Sequence, residues 1–107
     1  ALPICKTDTP GFIVNRCLFA FMLEAVHCYE DGVATVEDID TAIKYGLNHP
    51  MGPFEMMDLS GLDTFPHVTE ILEGLPITPW KCPDSVQKLI DEGKYGRKTG
   101  EGWHKYN

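Results

Sequence analysis

Few side chains in this sequence could do chemistry, and the most telling is an amide. Asn15 stands in Asp8-Thr9-Pro10-Gly11-Phe12-Ile13-Val14-Asn15-Arg16, at the opening of an expected helix that is otherwise apolar. Burying an amide in apolar surroundings costs about 1 to 3 kcal/mol unless something hydrogen-bonds it. Asn15 is therefore expected to need a partner. One reading gives it a backbone carbonyl or a neighbouring helix, a packing role. The other turns it toward a cleft, where Gly11 permits close approach of another molecule and an amide can both donate and accept. A helix N-terminus also favours negative charge developing on a bound oxygen.

The remaining reactive types are scattered. His27, His49, His67 and His104 are far apart, and no cysteine or carboxylate cluster completes a metal-ligand set, so neither a metal site nor a catalytic histidine is expected. Gly96-Arg97-Lys98-Thr99-Gly100 has a phosphate-loop flavour but lacks the G-x-x-x-x-G-K-[ST] order. Its glycines are expected to turn the chain with Arg97 and Lys98 solvated; contact with a CoA or nucleotide phosphate is the alternative. No G-x-G-x-x-G occurs, so no cofactor-binding residue is expected in this chain. The acidic runs Glu37-Asp38 and Asp91-Glu92 read as a solvated cap and a solvated helix face.

These residues must be positioned by helices. Leu2-Pro3-Ile4-Cys5-Lys6 looks extended, a strand without a sheet. Asp8 or Thr9 then caps a helix with Pro10 in its first turn, closing at Gly32. Its polar stripe is narrow (Arg16, Ala20, Glu24, His27, Asp31), so the helix should be central and packed on several sides. Thr35, with Asp38 three residues on, opens a second helix that buries Val36, Ile39, Ala42 and Ile43 and stops at Gly46. Pro53 starts a short helix over Phe54 to Leu59, broken near Ser60-Gly61. From Leu62 another helix carries Phe65, Val68, Ile71 and Leu72, with Pro66 tolerable only in the first turn. Pro76, Pro79 and Pro83 stiffen a loop, after which Asp84 or Ser85 caps a helix burying Val86, Leu89 and Ile90. The glycine-punctuated tail should pack back over the helices, with Trp103 and Tyr106 as core or interface anchors.

Composition narrows the class. With 107 residues, 43% of them hydrophobic, the chain supports one small core, short for an enzyme holding both cofactor and substrate. A net charge of −7 argues against nucleic acid, which demands clustered Lys and Arg. Cys5, Cys17, Cys28 and Cys82 form no C-x-x-C pair and suit a reducing, intracellular setting. The apolar stretch from Phe12 to Tyr29 is broken by Asn15, Arg16, Glu24 and His27, so no membrane span is expected.

Five segments occur together in an order that resembles a known family. They are Asp8 to Arg16, Asp38-Ile39-Asp40-Thr41-Ala42, His49-Pro50-Met51-Gly52-Pro53, Gly61-Leu62-Asp63-Thr64, and Gly96-Arg97-Lys98-Thr99-Gly100-Glu101-Gly102-Trp103. Over residues 3 to 106 the chain resembles the C-terminal domain of L-3-hydroxyacyl-CoA dehydrogenases, including 3-hydroxybutyryl-CoA dehydrogenases. The resemblance implies an all-α bundle of about five helices over residues 8–107, preceded at 1–7 by a remnant strand or linker of a missing domain. It implies an N-terminal Rossmann domain that binds NAD and carries the proton-handling histidine, a 3-hydroxyacyl-CoA substrate, and a homodimer. Only Asn15 carries over as a catalytic and substrate-binding residue, holding the reacting end of the acyl group and orienting the histidine. Trp103, where Phe is commoner in the family, and Pro66 depart mildly. The setting implied is the cytoplasm, or the mitochondrial matrix in a eukaryote. A non-catalytic helical dimerisation module, and the same domain within a multifunctional β-oxidation enzyme, are the alternatives.

Overall fold

The computed structural model describes residues 14–66 and 82–106. Within them run four α-helices: α1 (Val14–Glu30), α2 (Val36–Gly46), α3 (Pro53–Ser60) and α4 (Asp84–Asp91). Short 3-10 turns follow at Leu62–Thr64 and Arg97–Thr99. Among the described residues there is no strand, only isolated bridges joining Gly96 to Glu101 and Glu101 to Lys105. The fold is all-α, as the sequence implied. The extended segment expected over residues 1–7, and Val68, Ile71, Leu72, Pro76 and Pro79, lie outside the described residues.

The helix ends follow local chemistry, with one departure from expectation. Thr35 Oγ1 accepts the Asp38 N–H at 3.1 Å, so this threonine caps α2 as its spacing predicted. α2 stops at Gly46 as expected; just beyond it Asn48 takes the left-handed conformation, φ 56°, and the His49 N–H returns to the Lys44 carbonyl. α4 is not capped by its own Asp84 or Ser85. Pro83 precedes its first turn without a side-chain cap, and Glu30 from the end of α1 accepts both the Ser85 N–H (2.9 Å) and its hydroxyl (2.6 Å). Phe65 and Pro66 are helical directly after the 3-10 turn, which puts Pro66 in a first turn as required.

The core gathers Met22, Leu23, Ala25 and Val26 from α1, Val36 and Ile39 from α2, Phe54 and Met57 from α3, then Leu62, Phe65 and Val86. Trp103 closes it from the tail, its ring edge-on to Phe54 at 4.9 Å and to Tyr29 at 5.4 Å. Trp103 Nε1 is the one buried side-chain polar atom among the described residues without a hydrogen-bond partner. The near-perpendicular rings beside it offer π faces, which accept N–H weakly.

Two carboxylates are sunk in this core. Ala42 of α2, expected inside, is exposed, and Asp40 takes an inner position at 3% exposure. The reason is α3, whose N-cap Gly52 has no side chain to offer. Asp40 accepts the Phe54 N–H at 2.7 Å and the Glu55 N–H at 3.2 Å, capping α3 from a different helix. Asp58, at 1% exposure, accepts the backbone N–H groups of Trp103 (2.9 Å) and His104 (3.0 Å) and the Tyr106 hydroxyl (2.7 Å). His104 spans both acids, since its Nε2 lies 2.7 Å from Asp40 Oδ2. The backbone must come very close to allow this. A Cβ at Gly52 would collide with Asp40, and one at Gly96, whose φ is 123°, would collide with the Asp58 carbonyl.

Removing Asp58 leaves three part-buried donors without their acceptor, so Asp58→Ala should lower unfolding free energy by about 2 kcal/mol or more in urea titration; a loss below about 1 kcal/mol would show that solvent satisfies those donors. Burial raises the Asp40 carboxyl above its ordinary value, while His104 and the α3 N–H groups pull it down less strongly. The folded chain then binds this proton more readily than the unfolded chain. Its stabilising contribution is full below the unfolded value and fades as pH rises through the folded one. Relative to Asp40→Asn, the wild type should therefore lose stability as pH rises through and above the ordinary carboxylate range. A relative gain over that range would show that the hydrogen bonds outweigh burial.

Candidate functional site

α1 positions Asn15 by simple periodicity. Val26, Met22, Phe19 and Asn15 follow at three- and four-residue spacing, so they share one face of the helix. Exposure climbs along that line. Val26 is 0% and Met22 1% exposed, Phe19 is half-buried, and Asn15 is open to solvent. The core-facing stripe of α1 thus runs out of the core at its N-terminal end, and the amide stands where it emerges. This corrects the expectation that Asn15 is buried in apolar surroundings: among the described residues it has no hydrogen-bond partner, and being solvated it needs none. Phe19 marks the boundary, its ring edge-on to the buried Phe65 at 6.1 Å. Leu18, also half-buried, lies beside it. Val14 at 60% exposure and Cys17 leave the outer side of the same turn uncovered.

The other sequence candidates are not gathered around this amide. His49 is half-buried and edge-on to Phe21 at 5.6 Å. His67 lies outside the described residues. Among the described histidines only His104 pairs with a carboxylate, and it serves the two buried acids rather than an open site. Lys98 Nζ sits 2.6 Å from Asp63 Oδ1, and Arg97 stacks 5.4 Å over the Tyr106 ring. Both cations are exposed, as expected, yet both are engaged within the domain. Burial and the carboxylates of Asp84, Glu30 and Asp91 push the Cys82 thiol up, so it is a poor nucleophile. Burial and Asp58 likewise hold Tyr106 protonated.

A groove of about 880 Å³ opens at the other end of α1, walled by Tyr29, Val36, Leu89 and Trp103 with Lys88 and Lys94 on its rim. Lys94 is held by Glu92 at 3.2 Å and Glu101 at 3.4 Å, which keep it protonated. From Asn15 to Tyr29 the helix advances about 21 Å at about 1.5 Å per residue, so groove and amide are separate features. Among the described residues no group of His, Cys, Asp or Glu could hold a metal ion, and no helix is long and apolar enough to cross a membrane. Among the described residues no strand leads into a glycine turn.

Sequence reasoning missed Asp40, Asp58 and His104. A signal for the two acids was present. Asp40 falls within the apolar rhythm Val36, Ile39, Ile43, and Asp58 shares a helix face with Phe54 four residues earlier. Nothing in the local sequence of His104 announces its partner 64 positions away.

Comparison with known proteins agrees with this geometry. A match to the family described as 3-hydroxyacyl-CoA dehydrogenase, C-terminal domain, covers residues 11–106. The mitochondrial hydroxyacyl-coenzyme A dehydrogenase of Homo sapiens is 48% identical over 106 residues, 97% of this chain and 34% of that protein. A probable 3-hydroxybutyryl-CoA dehydrogenase of Deinococcus radiodurans is 42% identical over 97% of this chain and 38% of its own length. The crystal structure of (S)-3-hydroxybutyryl-CoA dehydrogenase from Ralstonia eutropha superposes with a TM-score of 0.83 at 39% identity, covering 94% of this chain and 36% of that one. The chain spans about a third of the length of these relatives. An all-α bundle whose motifs and superposition both agree with theirs leaves one assignment: the chain belongs to the family of 3-hydroxyacyl-CoA dehydrogenase C-terminal domains.

Proposed function

We propose that this domain is the substrate-side half of an NAD-dependent L-3-hydroxyacyl-CoA dehydrogenase, joined in the complete protein to an N-terminal Rossmann domain that binds NAD. Residues 1–7 would be the remnant strand or linker between them, and residues 8–107 the helical domain. The observation that carries the reading is the amide of Asn15, solvated at the point where the core-facing line of α1 opens. There its N–H donates to the 3-oxygen of a 3-hydroxyacyl-CoA while its carbonyl oxygen accepts from a histidine of the other domain, fixing that ring's orientation. The overall change is oxidation of the 3-hydroxyl to a 3-oxo group, with the hydroxyl proton passing to that histidine. NAD⁺, held by the other domain, supplies the hydride acceptor. An amide N–H pointed at the reacting oxygen, near the positive end of a helix, favours the charge that develops as the proton leaves. Relatives named as mitochondrial enzymes support a mitochondrial matrix setting in a eukaryote, and a cytoplasmic one otherwise.

In the complete two-domain protein, Asn15→Ala should lower kcat/KM for a short 3-hydroxyacyl-CoA by about 10-fold or more. The thermal midpoint should barely move, because the side chain is exposed. An unchanged kcat/KM would reduce the domain to an association module. The outward turn of α1, with Val14 and Cys17 exposed, supports a homodimer built on this helix. Sedimentation at tens of micromolar should give the dimer mass, and monomer alone would contradict it.

A further inference from the structure

Phe19 has a position that the proposed reaction does not yet use. It lies four residues after Asn15, on the same face of α1 and about 6 Å further along the axis. Its ring is half-buried, and what holds it is rigid: the edge-on contact to Phe65, itself 3% exposed, and the fully buried Met22 one turn below. The exposed part of that ring, with Leu18 beside it, is the apolar surface reached first from the amide toward the core.

A 3-hydroxyacyl-CoA has polar functions along most of its length. Its hydroxyl, thioester and the arm beyond all seek water or hydrogen bonds, and only the alkyl chain past C3 seeks an apolar wall. We propose that Phe19, backed by Phe65, is the floor against which that alkyl chain ends, and so is the residue that sets the acyl chain length this domain accepts. The inference rests on the reading that Asn15 holds the reacting end of the substrate. A ring packed against a buried neighbour cannot swing aside without opening the core, which makes it a stop rather than a flexible gate. Chain atoms beyond its reach must bend back into water or collide with the ring, and each excluded methylene is felt in kcat/KM.

The test compares 3-hydroxyacyl-CoA substrates of four to ten acyl carbons in the complete two-domain protein. For Phe19→Ala the ratio of kcat/KM for the ten-carbon over the four-carbon substrate should rise by about 10-fold or more. Phe19→Trp should move the ratio the other way, and Phe19→Leu should fall between wild type and Phe19→Ala. Should Phe19→Ala fail to fold, the Trp and Leu variants decide the matter through the same ratio. Val86→Ala, a buried truncation on α4, controls for stability: it should lower both rates together and leave the ratio in place. Active Phe19 variants with the wild-type chain-length profile overturn this inference while leaving the role of Asn15 standing. Wild-type protein that turns over none of the substrates overturns both.

Discussion

The domain depends on two carboxylates that have been taken out of water. Asp40 and Asp58 are almost wholly buried, and each must be satisfied by donors from elsewhere in the chain or the core would not tolerate it. Asp40 obtains its donors from the first turn of α3, which ties the second helix to the third. Asp58 obtains its donors from the tail, which ties the third helix to residues Trp103 to Tyr106. His104 belongs to both sets, so the apolar core and the polar network lock one another. A helix start without its own cap, a glycine pressed against a carboxylate and a tail that folds back are consequences of those two placements.

This arrangement separates what holds the domain together from what faces outward. The locked network lies among α2, α3 and the tail, while the amide of Asn15 sits at the opposite end of the longest helix. Charge and polarity are spent in the interior on geometry. Among the described residues the open end keeps one exposed amide, with half-buried Leu18 and Phe19 behind it and an uncovered flank at Val14 and Cys17. Concavity alone would have pointed elsewhere, to the groove beside Trp103, whose Lys94 is already paired with Glu92 and Glu101.

Much of this was legible in the residues, because helix starts and stops are written locally. Thr35 capping α2 and Pro53 opening α3 follow from chemistry within a few positions. Misreadings came wherever the decisive partner was remote. Asp84 and Ser85 looked like caps, but the capping oxygen belongs to Glu30, 55 positions earlier. Ala42 looked like core, but the inner face of α2 turns to serve a helix that begins thirteen residues after Asp40. For Asn15 the apolar neighbours left a packing role and an open cleft equally possible; periodicity shows which residues share a face, yet not where along the helix that face leaves the core.

The two ends of α1 are held very differently, and that difference has a mechanical meaning. Its C-terminal end is clamped by the Glu30 contacts to Ser85 and by Tyr29 against Phe54 and Trp103. Among the described residues nothing comparable grips the turn that bears the amide. Between them α1 is gripped by the core through Val26, Met22 and Phe19, and Phe19, edge-on to Phe65, is the last packed residue on the amide's face, about 6 Å short of it along the axis. The ring pair therefore anchors a side chain it never touches, and a change that loosens Phe19 from Phe65 would register one turn away as a shifted amide.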